Sequence, residues 1–285
     1  MQAVQRAALR GVLAFACLAG LPPVIVAQEA ALSTRPALTP EQMETFLLKA
    51  KIVATKDVGT GVTNTRRATL SDGQVTHDAQ IQIVNMERVL FQPARGPAEL
   101  NFKDSYRYNI AGYRLARELG LNNVPMSVER TVQGHAAAVT WWIDDVMMDE
   151  GARKKRPPVA EWKAARTSAQ LHIMRVFDAL IANTDRNLGN LLWTKDGTMW
   201  MIDHTRAFRL AKKLNAPALL QRCDRTLLEG LRSLSLDKLR NVMGDMLGKT
   251  EIEALLARRD AIVQLFDEKI AVRGEATILY RVDQP

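Results

Sequence analysis

Hydrophobic and polar positions divide the chain into an N-terminal stretch that alternates with strand-like period and a C-terminal stretch with helical period. The ordered pattern opens at Thr39-Pro40-Glu41-Gln42, with Thr39 as N-cap, Pro40 at the first helical position and Gln42 closing a capping box; the helix is predicted to reach about Lys51. From Ile52 to Val84 the texture is β. Ile52-Val53-Ala54 leads into a Thr- and Val-rich run from Val62 to Leu70, Ser71-Asp72-Gly73 marks a turn, and Ala79, Ile81 and Ile83 alternate with polar residues. A helix is predicted from Asp104 to Leu119, stopped by Gly120. More strand follows Val124-Pro125, with Gln133-Gly134 at the turn between Val128–Val132 and Ala136–Ile143. After Pro158 the pattern turns helical: Leu171, Met174, Phe177, Leu180 and Ile181 share one face, and further helices are predicted near 216–232, 235–247 and 250–272.

The first 27 residues read differently. Arg6 and Arg10 precede the apolar run Gly11–Ala19, and Ile25-Val26-Ala27 offers a small-residue cleavage site, the pattern of a secretory signal peptide. The alternative is an uncleaved anchor, but Gly11–Ala27 contains Pro22-Pro23 and falls short of the about 20 apolar residues that a span needs. Residues 28–39 are predicted to be a linker. The expectation is a secreted or periplasmic protein, with membrane association only if the N-terminal segment stays uncleaved. Cys17 leaves with the signal, so Cys223 has no disulfide partner, and without a Cys pair or a His-x-His spacing a structural zinc site is not expected.

Composition changes this picture little: 47% hydrophobic and 25% charged residues are ordinary for a globular chain. The net charge of +8 falls to +6 once Arg6 and Arg10 are removed. Its clearest concentration, Arg153-Lys154-Lys155-Arg156, reads either as a solvated loop or as a patch that attracts an anionic surface. No basic stripe is interleaved with aromatics, so nucleic acid is not expected as a partner.

The chemistry lies between Phe177 and Phe208. A buried helix ends at Asn183, the polar loop Thr184-Asp185-Arg186-Asn187-Leu188-Gly189-Asn190 follows, and two short apolar runs flank Lys195-Asp196-Gly197-Thr198 as a hairpin. With Asp196-Gly197 as a two-residue loop, Lys195 pairs with Thr198 and Asn190 lies opposite Asp203. The hairpin then brings together an amide oxygen and a carboxylate 13 residues apart, both hard ligands suited to Mg²⁺. Asp185 is left free to act on a substrate hydroxyl. Each of these residues taken alone is equally a turn cap.

The segment resembles the catalytic and metal-binding loops of atypical kinases: the phosphatidylinositol kinases, the HipA toxin kinases and the Fam20-type secretory-pathway kinases. Their pattern Asp-Arg-x-x-x-Asn, hairpin, hydrophobic-Asp stands here as D-R-N-L-G-N and M-I-D, and Asp203-His204-Thr205-Arg206-Ala207-Phe208 is nearest to the Fam20-type form. The strong part covers about 30 residues, and the order of elements extends it over roughly 50–275.

The resemblance implies an α+β, protein-kinase-like bilobal fold, with a small β-rich N-lobe (40–143) holding one helix and a mostly helical C-lobe (144–285). It implies Asp185 and Asn190 as catalytic residues, Asn190 and Asp203 as metal ligands, and ATP with Mg²⁺ or Mn²⁺ as cofactors. His204, in the Phe place of a D-F-G element, is expected to be structural. Gly59-x-Gly61 is placed over the phosphates, or is an ordinary turn. Gln82 stands where these families keep a Lys, and Asn109 near where they keep its acidic partner, with Asp104 and Glu118 as nearby carboxylates. A Gln–Asn pair keeps hydrogen bonding while removing both charges; Lys56 or Lys103 is the candidate to compensate. Trp142 is assigned to the adenine pocket at the hinge, with packing as its alternative role. The partners expected are a nucleotide and an unknown acceptor, protein, lipid or carbohydrate. Two functions follow: an exported phosphotransferase, or a pseudokinase that serves as a nucleotide-binding or scaffold module.

Overall fold

The computed structural model describes residues 38–58, 65–93 and 98–282; the signal segment, most of the linker and Gly59-x-Gly61 lie outside the described residues. Helix α1 (Pro40–Lys49) opens on the capping box its sequence encodes: Thr39 Oγ1 accepts from Gln42 N at 3.3 Å, and Gln42 Oε1 accepts from Thr39 N at 2.8 Å. Strands β1 (Lys51–Asp57), β2 (Arg66–Ser71) and β3 (Thr76–Gln82) form an antiparallel meander. Its second turn is closed by Asp72, whose Oδ1 accepts from Gln74 N and Val75 N, with Gly73 at φ 90°.

Next come β4 (Asn85–Phe91) and β5 (Glu99–Ser105), which among the described residues pair only with each other, and helix α2 (Arg107–Glu118). The sequence did not announce this ribbon, and α2 starts three residues later than expected, because Asp104 belongs to β5. The physical reason is that β4 buries no residue, and the alternation in β5 is only Phe102 and Asp104, one of them a carboxylate. Met86, Val89, Leu90 and Leu100 are all exposed, and Phe91 stacks on Phe102 within the ribbon at 4.0 Å.

Strands β6 (Ser127–Val132) and β7 (His135–Trp141) turn at Gln133-Gly134, both with positive φ, and complete a five-stranded antiparallel sheet in the order β1-β2-β3-β7-β6. Ala68 and Leu70, then Ala79 and Ile81, point into a small core closed by Phe46 and Leu47 of α1.

The rest is mostly helical. Strand β8 (Val146–Asp149) and short helix α3 (Glu150–Lys154) precede α4 (Ala164–Ile181); β9 (Leu191–Thr194) and β10 (Met199–Met201) join β8 in a three-stranded sheet. Strand β11 (Cys223–Asp224), helices α5 (Arg225–Ser233), α6 (Leu236–Met243), α7 (Lys249–Arg273) and α8 (Glu275–Ile278), and strand β12 (Leu279–Tyr280) follow. The helix expected from 216 begins only at Arg225. Asp224 caps it by accepting from Leu227 N at 3.1 Å, and residues 217–219 make one 3₁₀ turn. Phe177 and Leu180 of α4, Leu255 and Phe266 of α7, and Ile110 and Leu115 of α2 share the larger core, so α2 couples the sheet to the helices. Cys223 is buried and free, and burial pushes its thiol well above the ordinary range. Among the described residues no helix is long and apolar enough to cross a membrane.

Candidate nucleotide and metal site

The loop after α4 is organised by one guanidinium. Ala182 ends the helix in the left-handed region (φ 47°), and the chain turns outward. Arg186 then grips Asp178 of α4 with Nε and Nη2, each at 2.9 Å, while Nη1 donates to Ile202 O at 2.6 Å and to Asn190 O at 3.3 Å. Only a planar fork with five donors can hold helix, loop and hairpin together in this way. Asn187 Oδ1 accepts from Gly189 N at 2.9 Å and sets the single turn at 188–190. Asp185 is left with a side chain 53% exposed, so its carboxylate can meet a substrate.

The hairpin register differs from the expected one by a residue. Met199 pairs with Trp193 and Met201 with Leu191, so Asn190 faces Ile202, whose N donates to Asn190 O at 3.1 Å. The loop holds three residues, not two. Asp196 accepts from the Thr194 and Thr198 hydroxyls and from Thr198 N, an arrangement a two-residue turn leaves no room for, and Gly197 supplies the left-handed φ of 77°. Asp203 consequently lies beyond the ladder, also at positive φ (56°), a conformation that aspartate tolerates better than most residues.

The surroundings of Asp203 are polar and cramped. Thr205 Oγ1 donates to Asp203 Oδ1 at 3.1 Å, but burial first, and then the charges of Asp104 and Asp185, raise its carboxyl above the ordinary value. His204 is fully enclosed, with Phe177 edge-on at 5.9 Å; burial and the charge of Arg186 drive its ring far below the usual range and keep it neutral. Helix α2 can approach it this closely because residue 112 is glycine: a Cβ there would meet His204 Cγ at 3.2 Å.

Gln82 and Asn109 do meet. Asn109 Nδ2 donates to Gln82 Oε1, Asn109 Oδ1 accepts from His204 N at 2.8 Å, and Gln82 Nε2 donates to Thr65 Oγ1 at 3.2 Å. A neutral amide chain thus joins Thr65, just before β2, with β3, α2 and the segment carrying Asp203. Among the described residues no lysine lines this cavity. Lys103 is held by Glu87 at 3.0 Å and by Glu251 at 3.2 Å, and Lys56 does not line the site. Asp104 and Glu118 pair with Arg206 and Lys238, not with the Gln82 position.

Gln82, Trp142, Asn190 and Asp203 line one cavity of about 390 Å³, together with Thr65, Pro125, Ile143, Val146, Leu192 and Ile202. That volume suits a small ligand. Cavities of about 510 and 520 Å³ elsewhere contain none of these four residues. Of the two tryptophans, Trp141 is stacked on His77 at 3.8 Å and edges Phe46, whereas Trp142 has the Arg67 guanidinium 4.3 Å from its ring centre. Asp185 stands outside the cavity wall, and Arg206, which also does not line the cavity, holds Nη1 3.4 Å from Asp185 Oδ2. No Lys or Arg is among the described lining residues, and the sequence 59–64 carries none.

The clamps Asp178–Arg186 and Asp104–Arg206 were not assigned from the sequence. Asp178 and Arg186 lie eight residues apart across a helix end, a spacing with no pattern of its own; Asp104 and Arg206 are 102 apart. Among the described residues no three His, Cys, Asp or Glu side chains converge as a ready metal cage. The oxygen donors of Asn190 and Asp203 do match Mg²⁺, which takes one or two protein ligands and completes its shell with phosphates and water.

A five-stranded sheet with α2 behind it, a cavity beneath, and an Asp-Arg-x-x-x-Asn loop and hairpin on the helical side define an atypical kinase-like fold of the α+β class. A solved structure of hydra Fam20 with a sugar superimposes with a TM-score of 0.64 at 14% identity, covering 86% of this chain and 93% of that one. The Helicobacter pylori proinflammatory kinase CtkA does so with a TM-score of 0.53 at 12% identity, covering 80% and 98%. No model of a protein family and no curated protein sequence matches the chain.

Proposed function

We propose that the chain is an exported phosphotransferase that uses Mg·ATP to phosphorylate a hydroxyl of an acceptor. The observation that carries the reading is the meeting of Gln82, Trp142, Asn190 and Asp203 in one cavity, with an exposed Asp185 at its side. Trp142 and Ile143 take the base, and Gln82 donates to a phosphate oxygen. Asn190 and Asp203 would hold the divalent cation, whose charge, when it is bound, offsets that of the phosphates. Asp185 accepts a hydrogen bond from the acceptor hydroxyl and takes its proton as the acceptor O–P bond forms, while the bond from the γ-phosphorus to the β–γ bridging oxygen breaks and ADP leaves with that electron pair. Next to the 188–190 turn, α3 ends in the exposed cations Lys154, Lys155 and Arg156, which favour an acceptor with an acidic surface. Export rests on the pattern of the first 27 residues.

A second reading, a pseudokinase that binds nucleotide without transferring phosphate, is favoured by the uncharged Gln82–Asn109 pair and by the lack of a cationic side chain in the described wall. Titration with Mg·ATP, followed by tryptophan fluorescence, tests the nucleotide site that both readings need. Saturable quenching is expected. Trp142→Ala should weaken binding by about 1–2 kcal/mol, roughly 5- to 30-fold. A wild-type chain that gives no saturable signal at millimolar nucleotide would rule out both.

A further inference from the structure

Asp104 is 4% exposed. Its Oδ2 accepts from Arg206 Nε at 3.1 Å, but its Oδ1 is buried and has no hydrogen-bond partner among the described residues. A buried carboxylate oxygen without a donor is unfavourable, and such groups in native folds commonly face a water or an ion. The main chain fixes where Asp104 sits: Ser105 N donates to Thr205 O at 2.8 Å, which sets the end of β5 against the residues just after Asp203. Arg206 touches Asp104 Oδ2 and Asp185 Oδ2 at once.

The charges in this corner do not balance. Among the described residues, Asp104, Asp185 and Asp203 share one guanidinium, that of Arg206. Arg186 is engaged by Asp178, and Arg209 lies 2.8 Å from Glu99. With all three carboxylates ionised, two negative charges are left over among the described residues, which one divalent cation would neutralise.

We propose that Asp104 is a third protein contributor to the cation site, its free Oδ1 accepting a hydrogen bond from a water bound to the cation that Asn190 and Asp203 hold. The inference rests on the reading of Asn190 and Asp203 as cation ligands. Contact through water suits Mg²⁺ and Mn²⁺, which retain part of their hydration shell, and it needs no direct convergence of three carboxylates. It also makes the site span β5 and the helical part, and it lets the cation bind before any nucleotide.

Mn²⁺ titration of the full chain without nucleotide, read by electron paramagnetic resonance, tests this. The wild type is expected to bind one Mn²⁺. Asp104→Asn should weaken it by about 10- to 100-fold, the usual cost of losing a group that orients a metal's shell, and Asp203→Asn should abolish it. Melting curves in EDTA check that each variant folds. Loss in Asp203→Asn with wild-type affinity in Asp104→Asn overturns the role of Asp104 alone. Equal binding by all three proteins, or none by the wild type, removes the cation site itself. If Asp104→Asn does not fold, carboxylate carbon resonances of aspartate-labelled wild type decide the point. Broadening of Asp104 together with Asp203 by substoichiometric Mn²⁺ supports the proposal, and broadening of Asp203 alone contradicts it.

Discussion

Arg258→Met is expected to destabilise the chain by about 3 kcal/mol, the largest effect of any single substitution away from the cavity. Arg258 sits on α7 with no exposed surface. Among the described residues it pairs with no carboxylate: Nε donates to Leu180 O at 2.7 Å, and Nη1 donates to Arg209 O at 2.8 Å and Ala211 O at 2.5 Å. Burial pulls its pKa down to about 10, so it stays charged at neutral pH. Methionine fills much of the space but leaves three carbonyls without this donor. Each costs about 1–3 kcal/mol, and relief from a buried charge offsets part of the sum. Those carbonyls belong to the last turn of α4, just before the loop of Asp185, and to the chain just after Asp203, so Arg258 also fixes the spacing of the two halves of the site. Urea unfolding measures the loss. A midpoint within the error of the wild type would show that the contacts contribute little.

Asp185→Asn is expected to lower phosphoryl transfer by about 10²–10⁴-fold, the range for removal of a positioned acid or base. Nucleotide affinity should be almost unchanged, because Asp185 is outside the cavity wall. Asparagine preserves size and can still accept from Arg206, so the loop keeps its shape while the proton acceptor is lost. Transfer of labelled γ-phosphate and binding of nucleotide, measured on the same preparation, separate the two effects. Transfer at the wild-type rate would remove Asp185 from the chemistry, and a parallel loss of binding would make it part of the nucleotide site.

Much of the candidate site was legible because its parts are local. Asp185, Arg186, Asn190 and Asp203 fall within one short segment, and the strands around Asp196-Gly197 are apolar enough to read as a hairpin. The register was not legible, because it depends on how the Asp196 carboxylate shares itself between Thr194 and Thr198, a choice made by three hydrogen bonds rather than by hydrophobic pattern. The Gln82–Asn109 pairing was foreseeable from the order of the elements, and the two amides do bond. The β4–β5 ribbon escaped for the opposite reason. Its outward residues are apolar on both faces, and Glu99–Arg209, Asp104–Arg206 and Lys103–Glu251 hold it to the helical part across more than 100 residues of chain. Charge pairs at that separation leave no periodic trace in a sequence.

The proposed function requires nucleotide and cation to meet at Asn190 and Asp203. Melting temperature with and without Mg·ATP, for the wild type and for Asp203→Ala, tests it most directly. At about 100 times its dissociation constant the nucleotide should stabilise the wild type by roughly 2.7 kcal/mol, a rise of several degrees. The rise should need the metal and vanish in Asp203→Ala; no rise in the wild type, or an equal rise in the variant, would contradict the account.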